Sequence, residues 1–81
     1  MIYDVGNYDT IEAEIHVKVN DDGRDYQYVV IVNTLKHTRA EWESHTHHFA
    51  NYDQARAFCD NQRIRVTRDD QDYIRGRIIL P

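Results

Sequence analysis

The chain has 81 residues, enough for one domain, and its 14 acidic and 10 basic side chains give a net charge of -4 at pH 7. The longest apolar run, 29–32, falls far short of the roughly 20 residues that a membrane-spanning helix needs. A single cysteine, Cys59, excludes an internal disulfide framework. The acidic N-terminal segment lacks the basic and apolar regions of a signal peptide. We therefore expect one cytoplasmic domain spanning residues 1–81.

The charge is unevenly distributed along the chain. Residues 1–30 carry seven acids and two bases, 31–62 carry four acids and three bases, and 63–81 carry three acids and five arginines. Nucleic-acid-binding domains are usually basic overall, and this chain is not. The asymmetry indicates that the acidic surface and the basic surface contact different partners.

Two adjoining segments predict an antiparallel hairpin. Apolar and polar residues alternate over 11–19, and the β-forming segment 26–33 follows the loop NDDGRD. The register that best matches the side chains pairs Val19 with Tyr26, Val17 with Tyr28, Ile15 with Val30 and Ala13 with Val32. A slip of one residue would bring Gln27 and Val29 onto the apolar face, so this register is predicted.

The next segments predict a strand followed by a helix. We expect a turn around 36–39 and a third strand over 41–49. Asn51 and Gln54 then have the spacing of a capping box, in which the asparagine side chain accepts the backbone N–H of residue 54. The helix should run from Tyr52 to about Asn61, with Ala55, Phe58 and Cys59 packed on the sheet.

A second hairpin is predicted at the C-terminus. Ile64 and Val66 should point inward, 68–72 should turn, and Ile74, Ile78 and Leu80 should return inward. The predicted fold is α+β: an antiparallel sheet of four to five strands packed on one α-helix, in the order β-β-β-α-β-β. A short N-terminal strand over 2–5 is an additional possibility.

Arginines are concentrated in that final hairpin. If Val66 faces Ile74, then Arg65 faces Arg75 and Arg63 faces Arg77. Like charges opposite each other destabilise a hairpin, so a nearby anion is expected to neutralise these arginines. Two sources are open: an internal ladder with Glu12 and Glu14 of the first strand, or an external phosphate or acidic partner.

Histidines are concentrated in the third strand, where Glu41, Glu43, His45 and His47 would share one face. A His-x-His pair on a strand can chelate zinc when a third ligand arrives. No second pair has ligand spacing, so a solvated polar face is the expectation and no metal or cofactor is predicted. Cys59 lies on the apolar stripe of the helix, where cysteines are usually inert.

Aromatic residues are numerous for so short a chain, with six tyrosines and one tryptophan. Tyrosine, tryptophan and arginine dominate interface hot spots. Because one helix covers only one face of a sheet, we expect some of Tyr28, Trp42 and Tyr73 to form a contact surface. That surface would serve a homodimer or another protein.

The strand-to-helix junction Phe49-Ala-Asn-Tyr-Asp-Gln-Ala-Arg-Ala-Phe58 resembles a junction in small phage-encoded anti-CRISPR proteins. Members of that class are compact, acidic, single-domain chains that act by binding. The resemblance covers roughly 11–62 and carries no shared functional residue. It implies a stoichiometric inhibitor in the host cytoplasm that occludes a nucleic-acid or subunit site on a CRISPR effector.

The leading hypothesis is a non-enzymatic, cofactor-free inhibitor or adaptor whose partner is a protein and not a membrane. Its acidic half would imitate a nucleic-acid backbone toward a basic groove. The candidate contact residues are Glu12, Glu14, Asp21, Asp22, Tyr28, Trp42, Arg63, Arg65, Tyr73, Arg75 and Arg77. The alternatives are a nucleic-acid-binding module that uses the C-terminal arginines and, third, a metal-dependent enzyme that uses His45 and His47.

Overall fold

The computed structural model describes residues 3–19, 23, 26–38 and 40–71. Its elements are a 3-10 turn at Val5–Asn7, β1 at Tyr8–Val19, β2 at Tyr26–Lys36, β3 at Trp42–Phe49, α1 at Tyr52–Asn61 and β4 at Arg65–Asp69. The four strands form one sheet in the order β3-β2-β1-β4. The predicted α+β class, with a mostly antiparallel sheet and one packed helix, is confirmed.

The predicted hairpin register is confirmed at every pair. In the structure Val19 lies opposite Tyr26, Val17 opposite Tyr28, Ile15 opposite Val30 and Ala13 opposite Val32. A register is strongly specified when one face of a strand is buried, because a slip of one residue moves every apolar side chain to the other face. Here Ala13, Ile15, Val30 and Val32 are fully buried, so the packing enforces the register.

β4 differs from the all-antiparallel expectation because it pairs with β1 in a parallel arrangement. β3 and β4 point the same way, so the connection between them must cross over the sheet, and α1 makes that crossover. The register shifts at Thr67, where β4 carries one extra residue between Val66 opposite Ala13 and Arg68 opposite Glu14. The Thr67 hydroxyl donates to the Ala13 carbonyl at 3.3 Å, which holds the bulge against β1.

The helix begins and packs as its sequence predicts. Asn51 is the N-cap, and its Oδ1 accepts the Gln54 backbone N–H at 2.9 Å. Ala55 and Cys59, one helical turn apart, are both fully buried against the sheet. Two small side chains at these positions let the helix approach the sheet closely, and Tyr52 and Phe58 fill the space on either side.

The predicted N-terminal strand is wrong for the residues that the structure describes. Tyr3 and Asp4 lie outside any strand, and Val5 begins the 3-10 turn. The Asp4 carboxylate accepts the Gly6 backbone N–H at 3.2 Å, and the Asp4 carbonyl accepts the Asn7 N–H at 2.9 Å. Aspartate favours such local turns over strand pairing.

The end of α1 holds an unfavourable residue. Ile64 N–H donates to the Cys59 carbonyl at 3.0 Å and Arg63 N–H to the Asp60 carbonyl at 3.1 Å, the two bonds of a Schellman motif. Arg63 occupies the left-handed position of this motif, with φ 57°, where glycine is the usual residue. The sequence pattern placed Arg63 in a strand, but β4 begins two residues later at Arg65.

We expect Arg63→Gly to raise the free energy of unfolding by about 1 kcal/mol, because glycine adopts the left-handed conformation without the Cβ clash. Urea unfolding of the variant and the parent protein measures the difference. Arg65→Gly is the matched control: it removes the same charge but places glycine in a strand, so it should destabilise. A loss of stability in Arg63→Gly as large as in the control would contradict this reading of the helix end.

Candidate protein-contact site

The sheet has two chemically different faces. The helix-side face carries the buried residues of β1 and β2, chief among them Ile15, Val30 and Val32. The opposite face, called here the helix-free face, carries the residues that alternate with them. On β1 these are Glu12, Glu14, His16 and Lys18, on β2 Gln27, Val29, Ile31, Asn33 and Leu35, and on β3 Trp42, Ser44, Thr46 and His48.

The helix-free face carries two apolar groups, one on either side of Asn33: Val29 with Ile31, and Leu35 with Trp42. Val29, Ile31 and Leu35 are half-buried and lie outside the core cluster, and Trp42 lies directly opposite Leu35. Trp42 is 53% exposed, the largest exposure among the large hydrophobic residues that the structure describes. Single exposed apolar residues are ordinary on protein surfaces, whereas a contiguous group marks an interaction site.

A hydrogen-bonded polar belt crosses this face between Ile31 and Leu35. Ser44 Oγ donates to Asn33 Oδ1 at 2.8 Å, and Asn33 Nδ2 donates to Glu14 Oε2 at 2.9 Å. The belt continues through His16, whose Nε2 is 3.2 Å from Glu14 Oε1 and whose Nδ1 is 3.7 Å from Asp70 Oδ2. Side chains from β3, β2 and β1 are thereby held in fixed positions before any partner arrives, which reduces the ordering cost of binding.

The acids of β1 and the arginines of β4 are neighbours, but they do not form the predicted ladder of ion pairs. Glu12 lies opposite Arg65 and Glu14 opposite Arg68 across the β1–β4 pair, so the predicted neighbourhood is correct. Arg68 Nε nevertheless binds Asp70 Oδ1 at 2.9 Å rather than Glu14. Within the described residues Glu12 and Arg65 make no ion pair or hydrogen bond through their side chains, so both remain available for a partner.

A groove opens at the end of the helix-free face where β2 turns into β3. It has a volume of about 550 Å³ and is lined by Asp9, Leu35, His37, Thr38, Ala40 and Trp42. The hydrogen bond that His37 donates to Asp9, followed by the one that it donates to the Gly6 carbonyl, raises the pKa of His37 above its usual value. An exposed indole near a carboxylate is suited to a cationic side chain. We call these residues the Trp42 groove.

The third-strand histidines do not form a solvated polar face, so that expectation is wrong. Glu43, His45 and His47 share one face as predicted, but it is the helix-side face, and all three are half-buried. Tyr3 lies 5% exposed against both imidazoles, with ring centroids 5.7 and 5.8 Å away. The signal that sequence reasoning missed is Gln62, a buried amide whose Oε1 accepts the Tyr3 backbone N–H at 3.2 Å.

The structure brings together only some of the predicted contact residues. Glu12, Glu14, Trp42 and Arg65 lie on the helix-free face. Tyr28 belongs to the core, 8% exposed, with its hydroxyl donating to Gln71 Oε1 at 2.8 Å, and this burial removes it from the contact surface. Arg63 is exposed at the end of α1 instead of in the strand. Asp21, Asp22, Tyr73, Arg75 and Arg77, and with them the predicted last strand, lie outside the described residues.

The surroundings of the possible metal ligands and of Cys59 bear on whether these side chains could act in catalysis. No three histidine, cysteine, aspartate or glutamate side chains there are grouped to hold a metal ion. Burial raises the pKa of the Cys59 thiol to about 11, so it stays protonated at neutral pH and is a poor nucleophile. Among the same residues, no helix combines the length and apolar character that a bilayer crossing requires.

Comparison with known proteins adds no relative: no family model, no curated protein and no solved structure matches this chain. The resemblance to anti-CRISPR proteins therefore stays a prediction. Over the described residues, the structure is an α+β domain with a four-stranded sheet and the crossover helix α1 on one face.

His47 makes the stability of the fold depend on pH. Burial, followed by the neighbouring His45 and His48, lowers the pKa of His47 below its ordinary 6.5. The neutral ring can then accept the Tyr3 hydroxyl, 2.6 Å from its Nε2. Because the unfolded chain takes up this proton first, the contribution is present above pH 6.5 and is lost as the pH falls toward the folded-state pKa.

We expect His47→Phe, which keeps an aromatic ring beside Phe58, to lose less stability than the parent protein on acidification. Urea unfolding at about pH 7.5 and about pH 5 gives the comparison. The imidazole proton resonances of His47 should titrate below 6.5 in the folded parent protein. An equal loss of stability in both proteins would exclude His47 as the source.

Proposed function

We propose that this protein is a non-enzymatic binding module that contacts a partner protein through its helix-free face, centred on the Trp42 groove. The observation that carries the proposal is the exposure of Trp42, 53%, beside Leu35 on a face that α1 does not cover. Burying an indole and its aliphatic neighbours is a large source of binding energy at protein interfaces.

The charges around the groove favour a partner segment that combines apolar and basic side chains. Asp9 is the one carboxylate among the described residues that line the groove, where it binds His37, and the exposed Glu41 directly precedes Trp42. Glu12 adds a half-buried carboxylate on the helix-free face that the described residues do not pair. A basic side chain on the partner would complement these acids and speed the encounter.

A binding role agrees better with these surroundings than catalysis or nucleic-acid recognition. Cys59 is buried, with its pKa raised. The polar groups of the belt bind one another, and Arg68 is held by Asp70. The helix-free face therefore offers mixed charges rather than the basic row that phosphates require. Inhibition of a CRISPR effector, whose nucleic-acid groove would be basic, is one form of this proposal.

Parallel affinity capture from a lysate of the source organism tests the proposal. The baits are the parent protein, Trp42→Ala and Tyr26→Ala, and bound proteins are identified by mass spectrometry. Tyr26 is the matched control because its side chain is 47% exposed and lies opposite Val19 on the helix-side face. We expect a protein retained in stoichiometric amounts by the parent protein and Tyr26→Ala, and lost from Trp42→Ala.

Two results would remove the proposal. One is equal retention by all three baits, which would place the contact elsewhere, and the other is no retained protein at all. Nuclease treatment of the lysate separates a third case: capture that disappears with the nucleic acid would support the nucleic-acid-binding alternative instead.

The partner chemistry can be tested without the natural partner. Trp42 is the only tryptophan, so its fluorescence reports on this groove alone. We expect a short amidated peptide of alternating leucine and arginine to shift the emission to shorter wavelength, less strongly as salt screens the charges. The same peptide with glutamate in place of arginine should leave the emission unchanged.

Charge-neutralising variants locate the acid responsible. Glu12→Gln should lower the affinity for the arginine peptide. Asp53→Asn, which removes one carboxylate in the first turn of α1, should leave that affinity unchanged. Equal responses to the arginine and glutamate peptides would show that the groove selects apolar character but not charge.

A further inference from the structure

Among the residues that the structure describes, β3 and β4 are the edge strands of the sheet, and they are protected to different degrees. β4 has five residues, is bulged at Thr67 and carries the exposed side chains of Arg65 and Arg68. Short length, bulges and positive charge are the devices that keep an edge strand from pairing with another chain. β3 has eight residues and pairs with β2 without a register shift. Its sequence, WESHTHHF, contains no proline, lysine or arginine.

The sequence of β3 is complementary to itself when two copies run antiparallel about His45. That register sets Trp42 opposite His48 of a second copy and Ser44 opposite Thr46, each pair occurring twice. All four of these side chains are exposed on the helix-free face. On the other face the same register sets Glu43 opposite His47. Aromatic pairs and Ser–Thr pairs are favourable across strands.

The neighbouring register, centred on Thr46, is poorer. It sets Glu43 opposite Phe49 and moves Trp42 opposite Ala50, which lies beyond the strand. A register centred on Ser44 would set Glu43 opposite His45 and Trp42 opposite Thr46, but would leave residues 47–49 of β3 without a partner in the strand. The His45 register is the one that uses the strand from Trp42 to His48 and gives the indole a ring to pack on.

We propose that β3 is a self-association edge, at which a second copy of this chain pairs antiparallel about His45 to give a continuous eight-stranded sheet. A two-fold axis perpendicular to the sheet keeps both helices on one side and both helix-free faces on the other. The inference is independent of the proposed partner, because strand pairing uses the backbone edge of β3 and partner binding uses a side-chain face.

The arrangement would move Trp42 from the margin of one sheet to the interior of a larger one. In a single copy the indole is on the outermost strand, with Leu35 on one side only. In the pair, His48 of the second copy would flank its other side, followed by Val29 of that copy, which lies opposite His48 in β2. One row across the joined sheets would then contain Leu35 and Trp42 of one copy and His48 and Val29 of the other.

Charge variants of the two exposed hydroxyl residues test the pairing. Sedimentation velocity and equilibrium should show a concentration-dependent dimer of the parent protein. Ser44→Lys with Thr46→Lys places like charges directly opposite in the His45 register and should weaken the dimer by roughly ten-fold. Ser44→Glu with Thr46→Lys loses the same two hydroxyls, including the bond to Asn33, but places opposite charges together and should restore it.

A crosslinking experiment tests the register. His45→Cys lies on the two-fold axis, where facing Cα atoms are close enough for a disulfide, about 4.4–6.8 Å. We expect mild oxidation to link this variant into a covalent dimer and to leave Thr46→Cys unlinked. The native Cys59 is buried, with its pKa raised to about 11, so the parent protein should not crosslink. Circular dichroism of each reduced variant verifies that it is folded.

Three outcomes would overturn the inference. The first is a parent protein that remains monomeric at the highest concentration reached. The second is a dimer that responds equally to the two charge combinations, and the third is crosslinking of Thr46→Cys in preference to His45→Cys. Each of these can occur whether or not the affinity capture through Trp42 succeeds.

Discussion

The fold depends on one close contact: a ten-residue helix seated on the sheet through two small side chains. Ala55 and Cys59 are fully buried over a layer that contains Ile15, Val30 and Val32. Fully burying an aliphatic side chain of that layer contributes about 1.5–3 kcal/mol, and a larger residue at position 55 or 59 would push the helix away from all of them. Every other feature follows from the fact that α1 can cover only one face.

That constraint divides the side chains of β3 between two environments. On the helix side, Tyr3 covers His45 and His47. Gln62, at the end of α1, accepts a hydrogen bond from the backbone N–H of Tyr3 and so holds it in place. On the other side, α1 does not cover Trp42, which remains half exposed among the described residues. The strand therefore uses imidazoles where a core would usually take aliphatic residues, and exposes its largest apolar side chain.

The parts of the fold that could be predicted are those set by local periodicity. The β1–β2 register and the limits of α1 follow from alternation and from the Asn51 cap, which act within a few residues of one another. The parallel placement of β4 could not be predicted in this way, because strand direction depends on a crossover over two intervening strands. The burial of Tyr3 depends on Gln62, 59 positions away, and no local pattern reports such a contact.

The candidate site was predicted in the same uneven way. Alternation alone placed Glu12 and Glu14 on the polar face of β1, and the structure puts Trp42 and Arg65 on that face too. The abundance of tyrosine predicted a contact surface that would include Tyr28, but Tyr28 proved to be a core residue. Composition counts aromatic residues without saying which face holds them, whereas the strand register assigns the face.

Trp42 links the two proposals and also separates them. Its indole adds nothing to the core cluster of this chain, so its contribution to the fold of one copy is small compared with that of Val30 or Val32. A partner laid on the helix-free face would cover the indole from above, and a second β3 would flank it from the side. Because these two approaches are perpendicular, both can be satisfied at once. Pairing of β3 would place each Trp42 in a row with Leu35 of its own copy and with His48 and Val29 of the other copy. A two-fold axis would also repeat the acids at residues 9 and 12 on both sides of the pair, so a segment with basic side chains on both sides of an apolar one would fit it.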